Sequence, residues 1–137
     1  MEYNILIKKG LGEILFDMPV EDVVAIMGEA DDVESIDNAI DEVTTVLHYD
    51  DGQLTLFFEG TEPKLQCIDI SSDKAKLFGE NIFDLDEEQI VRQMVNNGYF
   101  EQDADTEDWG ERRITFGEGN IDFYFDDGEL IAIAYGK

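Results

Sequence analysis

From Val43 onward the chain alternates apolar and polar residues with a period of two, the mark of a strand with one buried and one open face. Val43 to Tyr49, Gln53 to Glu59 and Leu65 to Ile70 succeed one another. The first two are joined by a turn at Asp51-Gly52, where glycine supplies the positive φ of a tight hairpin. The pattern returns in Arg112 to Phe116, Asn120 to Phe125 and Glu129 to Tyr135, with turns at Glu118-Gly119 and Asp127-Gly128. Side chains two apart share one side of a sheet. Leu47, Tyr49, Leu54, Leu56 and Phe58, with Ile114, Phe116, Ile121, Phe123 and Phe125, are therefore the expected core face. The opposite face carries Val46, His48, Thr55, Phe57 and Glu59, with Arg113, Thr115, Asp122, Tyr124 and Asp126. It is polar, with aromatics set among acids.

Ahead of each set of strands the period changes to that of a helix. Val20, Val23, Val24 and Met27 fall at i, i+3, i+4 and i+7, with Pro19 near the start and Gly28 as the stop. Ile90, Val91 and Met94 make a second apolar stripe, with Asp86 placed to cap it and Gln89 three residues on, close to a capping box. Both helices are short, so packing against a sheet must stabilise them. Asp31 to Glu42 and Glu101 to Asp108 show neither period and read as acidic loops.

The two halves are related in sequence. Sliding the chain by 67 positions places Phe16 on Phe83 without a gap, and twelve of the fifty-two positions from Lys9 to Gly60 then coincide, against roughly four expected by chance. The matches run through helix, loop and hairpin and include Asp41 with Asp108, Gly52 with Gly119 and Phe58 with Phe125. The expected fold is α+β: a tandem duplication of a helix followed by a three- to four-stranded antiparallel sheet, with room for the two sheets to join into one concave sheet. Residues 1–74 form the first repeat and 75–137 the second, within one compact domain.

Composition narrows the function. The 34 acidic against 9 basic residues leave a net charge of -25, yet 43 % of the 137 residues are hydrophobic and nine are Phe, so the chain has the material for a core. A field of that sign opposes binding to nucleic acid or an anionic membrane and favours a basic protein. Cys67 is alone, which excludes an intramolecular disulfide and reads as packing. The N-terminal apolar run is too short for a secretory segment, and no stretch approaches the roughly 20 apolar residues of a membrane span, so a cytoplasmic location is expected.

Catalytic and metal chemistry find little support. His48 is the one histidine, and nothing local pairs it with Cys67 as a nucleophile. One Cys and one His cannot complete a tetrahedral zinc set without recruiting carboxylates. Asp103 to Asp108 begins like a calcium loop but has Asp108 where glycine is required and Ile114 where a bidentate Glu is required. No cofactor, metal or catalytic residue is expected, and an enzyme is not the favoured class.

Phe16 to Asp31, FDMPVEDVVAIMGEAD, resembles the helix signature of the β-lactamase-inhibitory-protein-like superfamily, which also takes in small lipoproteins of outer-membrane assembly. The second segment keeps Phe83, Asp84, Leu85, Glu88, Val91 and Met94 but has Val95 where glycine is expected. The resemblance implies tandem units of helix and antiparallel sheet whose sheets join into a concave surface that grips a target. Relatives of that kind are exported and often disulfide-bonded, unlike the single-cysteine chain here. In character the chain is also similar to the acidic cytoplasmic immunity proteins that neutralise basic nuclease toxins.

The expected function is therefore a noncatalytic acidic binding protein, an inhibitor or immunity protein for a basic partner such as a toxin nuclease. The alternative is a housekeeping or scaffold module with no toxin link. The expected docking residues are Phe57 and Tyr124 as anchors, Glu59, Asp122 and Asp126 as charged surround, and His48 and Trp109 as secondary contacts.

Overall fold

The computed structural model describes residues 3–39, 42–107 and 109–137; Asp41 and Asp108, matched in the 67-residue register, lie outside them. The chain runs β1 (Tyr3–Leu6), β2 (Gly10–Leu11), β3 (Ile14–Leu15), α1 (Val20–Met27), β4 (Asp32–Ala39), β5 (Glu42–Tyr49), β6 (Leu54–Gly60) and β7 (Lys64–Ile70). It continues with β8 (Ala75–Leu77), β9 (Glu80–Asn81), α2 (Glu87–Asn96), β10 (Gln102–Thr106), β11 (Glu111–Phe116), β12 (Ile121–Asp126) and β13 (Glu129–Gly136).

The α+β expectation is corrected. Among the described residues strands hold 51 % and helices, 3-10 turns included, 21 %, so the protein is mostly β, with two sheets in place of helix-plus-sheet units. The larger sheet has eight antiparallel strands in the order β10-β11-β12-β13-β7-β6-β5-β4, and β13 joins β7 through Ile133 opposite Ile70 and Tyr135 opposite Ile68. The second sheet, ordered β3-β2-β1-β8-β9, is built from very short strands, and Tyr3 to Ile5 run parallel to Ala75 to Leu77.

Both acidic stretches read as loops are corrected as well. Asp32–Ala39 and Gln102–Thr106 are the two edge strands of the larger sheet. Their one-sided pairing leaves them open to solvent, so neither needs an apolar face. Asp103 to Thr106 is thus extended backbone paired with Arg112 to Thr115, a geometry that sends successive side chains to opposite faces and cannot wrap an ion.

All ten residues expected on the core face are buried. They meet the partly buried side chains Val20, Val24, Met27, Phe83 and Val91, so the helices lie on the inner side of the larger sheet. Tyr135 crosses this core to donate its hydroxyl to the Gly10 carbonyl at 2.9 Å, tying the two sheets together. Its burial pushes the phenol pKa upward.

Local signals set the helix ends. α1 stops at Gly28, whose φ of 84° ends the helical run. At α2, the Gln89 amide donates to Asp86 Oδ1 at 2.9 Å and the Asp86 amide to Gln89 Oε1 at 3.0 Å, a complete capping box. Asp86→Ala is expected to cost about 1 kcal/mol, read as a lower urea midpoint with unchanged slope. An unchanged midpoint would mean that tertiary packing alone holds α2.

Candidate partner-binding face

The residues opposite the core form rows that run across the strands. One row spans the whole sheet: Asp103, Thr115, Asp122, Ala134, Asp69, Thr55, His48 and Asp32, each paired with the next. It holds four aspartates, one histidine and no lysine or arginine. Neighbouring strands lie about 4.8 Å apart, so Asp103, Asp122 and Asp69, on every second strand, repeat at about 9.6 Å.

Short side chains separate these acids and hold some of them. The Thr115 hydroxyl donates to Asp122 Oδ1. Asp69 is pushed above the usual carboxylate range, first by desolvation against the sheet and then by repulsion from Asp122. Tyr124 sits in the adjacent row between Arg113 and Ala132, and Arg113 pairs with Asp105 beyond it. Burial is the main cause that raises the Tyr124 phenol, followed by the negative charge of Asp122, with Arg113 acting against both.

Ala132 and Ala134 leave the middle of this face low. A depression of about 330 Å³ opens over them, walled by Tyr124 on one side and by Thr55, Asp69 and Ser71 on the other. A second one, about 190 Å³, lies between Tyr124, Arg113, Asp105 and Glu111. Tyr124 divides the two.

The expected docking residues separate into groups. His48, Asp122 and Tyr124 stand in the central rows. Phe57 shares the face but lies in a different row, between Val46 and Cys67, and β13 and β7 separate it from Tyr124. The two aromatics matched by the 67-residue shift are therefore not neighbours. Glu59 lies toward the far end of β6, opposite Thr44 and Lys64. Asp126 ends β12 between Glu111 and Glu129. Trp109 is 71 % exposed just before β11, its Nε1 donating to Glu111 Oε2 at 2.8 Å.

Cys67 is exposed on this outer face, which corrects its reading as a packing residue. Partial desolvation against the sheet raises its thiol pKa, and the negative charges of Glu59 and Asp69 raise it further.

Sequence reasoning missed Asp32, Asp69 and Asp103 on this face. The signal for the edge strands was present in the alternation of Asp32 with Glu34 and of Asp103 with Asp105, each pair on one face of an extended segment. Among the described residues no helix is long and apolar enough to cross a membrane. Comparison with protein-family models, curated proteins and solved structures returns no match.

Proposed function

We propose that the protein is a noncatalytic, cytoplasmic acidic binding protein that holds a basic partner against the outer face of its eight-stranded sheet, in the manner of an inhibitor or immunity protein for a toxin nuclease. The observation that carries this reading is the row Asp103, Asp122, Asp69 and Asp32, a line of carboxylates beside a low alanine floor and the Tyr124 ring. A partner's lysine and arginine side chains would meet Asp103, Asp122 and Asp69 at a regular spacing and Asp32 farther along, while an apolar side chain would seat on the alanines against Tyr124.

The net charge of -25 acts at longer range. A field of one sign raises association rates by about 10- to 1,000-fold and is screened over roughly 8 Å at physiological salt. Affinity for the partner should therefore fall steeply with added salt.

The test is capture from a lysate of the source cell, followed by binding kinetics with the purified partner. The reading expects one dominant basic protein, released by salt. Reversing Asp122 and Asp126 to Lys is expected to slow association by at least about 10-fold with a smaller change in dissociation, because charges near an interface chiefly set the on-rate. Capture of no basic protein, or binding indifferent to salt, would overturn the proposal.

A further inference from the structure

The acidic row ends at a cluster of different chemistry. Asp32 on β4 is directly opposite His48 on β5, and Glu34 follows Asp32 by two residues, on the same face. One donor atom from each of the three lies within 4.8 Å of the others, and His48 Nε2 stands 3.2 Å from Glu34 Oε1. Around an ion with ligand bonds of about 2.0–2.2 Å, neighbouring tetrahedral donors are about 3.4 Å apart. The histidine and Glu34 already stand near that spacing, and Asp32, whose Oδ1 accepts from the Val33 amide, completes the set within 4.8 Å.

We infer that Asp32, Glu34 and His48 form a binding site for a first-row divalent metal ion of the Zn²⁺ type. The imidazole distinguishes this cluster from the acids elsewhere on the surface. Calcium and magnesium take oxygen donors, whereas a nitrogen beside two carboxylates suits zinc and its neighbours. Three protein ligands leave a fourth position for water. Asp32 and Glu34 are exposed and His48 is half-buried, so an ion reaches the site directly from solvent.

Thr55 orients the ring. His48 Nδ1 lies 3.2 Å from Thr55 Oγ1, on the neighbouring strand β6. In the metal-free protein Nε2 faces Glu34 and Nδ1 faces the threonine hydroxyl, which can donate to the ring. With metal, the Nε2 lone pair bonds the ion, the ring proton resides on Nδ1, and the same hydroxyl turns to accept it. Threonine serves both states because its hydroxyl is donor and acceptor at once.

The experiment is zinc titration of the full chain by calorimetry in about 0.15 M salt, near the ionic strength at which exposed charges are screened beyond roughly 8 Å, with excess Mg²⁺ occupying diffuse acidic sites. It is paired with ¹⁵N NMR of the single imidazole. The expected result is uptake of one equivalent of Zn²⁺, with the Nε2 signal moving to the position of a metal-bound nitrogen and the ring proton on Nδ1. His48→Gln and Glu34→Gln should each abolish that uptake. Thr55→Val should weaken it by about 10- to 100-fold, as loss of an orienting partner does. Exchanging the remote exposed Glu129 for Gln should leave it unchanged. Glu34 is exposed, so E34Q keeps the test valid should H48Q fail to fold. The inference is overturned if the wild-type protein takes up no zinc under these conditions, if H48Q binds as the wild type does, or if the ring signals do not move.

Discussion

Phe123→Ala is expected to destabilise the protein by about 3 to 5 kcal/mol, the cost of removing a large aromatic from a packed core. Phe123 is fully buried, and its ring meets Phe116 edge-on, with centroids 5.9 Å apart at 90°. It sits on β12, between β11 and β13, where ladder hydrogen bonds hold the backbone on both sides. The sheet cannot close around the missing ring, so most of the volume remains as a cavity and the loss falls near the upper end of the range. Domains of this size are stable by about 5–15 kcal/mol, so the variant should lose a large share of its folding free energy. Urea unfolding followed by circular dichroism checks this, with a lower midpoint and an unchanged slope as the expected signature. A cost under about 1 kcal/mol, the range of well-tolerated core swaps, would mean that the core is not where the buried face places it.

The same alternation that identifies Phe123 as core shows why much of the large sheet was legible. β6, β7, β11, β12 and β13 each have one dry and one wet face, with Leu54, Leu56 and Phe58 on every second position, whereas on β5 the outward-facing Val46 is buried as well. Both helices could be read for the same reason, and the Asp86 cap from three residues of sequence. The edge strands escaped because neither side of them is dry: Val33 is 59 % and Ile36 46 % exposed, which erases the contrast that a period requires. The second sheet escaped for a different reason. β2, β3 and β9 have two residues each, too few to show any period, and the parallel pairing of β1 with β8 joins residues more than seventy apart.

The candidate site was legible only strand by strand. His48, Asp122 and Tyr124 could be assigned to the outer face from their own alternation. Their alignment with Asp103, Asp69 and Asp32 depends on seven consecutive pairings, each fixed by turn geometry and by core packing on the other side of the sheet. No window of sequence contains that row. The carboxylates that meet His48 are a case in point, since cross-strand pairing of β4 with β5 supplies them. The strong stripes of the two short helices suggest a helical layer and hence an α+β class, whereas the helices cover only parts of a larger sheet.

Tyr124→Ala, one residue from Phe123 but on the opposite face, is expected to leave the fold almost intact and to weaken partner binding by about 2 kcal/mol or more, roughly a 30-fold faster dissociation. Tyr124 is half-buried and walls both depressions of the outer face, so a docked partner would desolvate the rest of its ring. An aromatic ring in that position brings contact area at little entropic cost, and its hydroxyl remains available beside Asp122 and Arg113. Phe57→Ala should have a smaller effect, because Phe57 lies apart from Tyr124 beyond β13 and β7. The measurements are dissociation rates from the captured partner and urea midpoints for both variants and for Phe123→Ala. If Tyr124→Ala unfolds the protein while its folded fraction keeps full affinity, and Phe123→Ala loses binding with its stability intact, the two faces of the sheet have the reverse of the roles assigned to them. If neither tyrosine nor phenylalanine on the outer face alters dissociation, the partner docks elsewhere and the acidic row acts only through its long-range field.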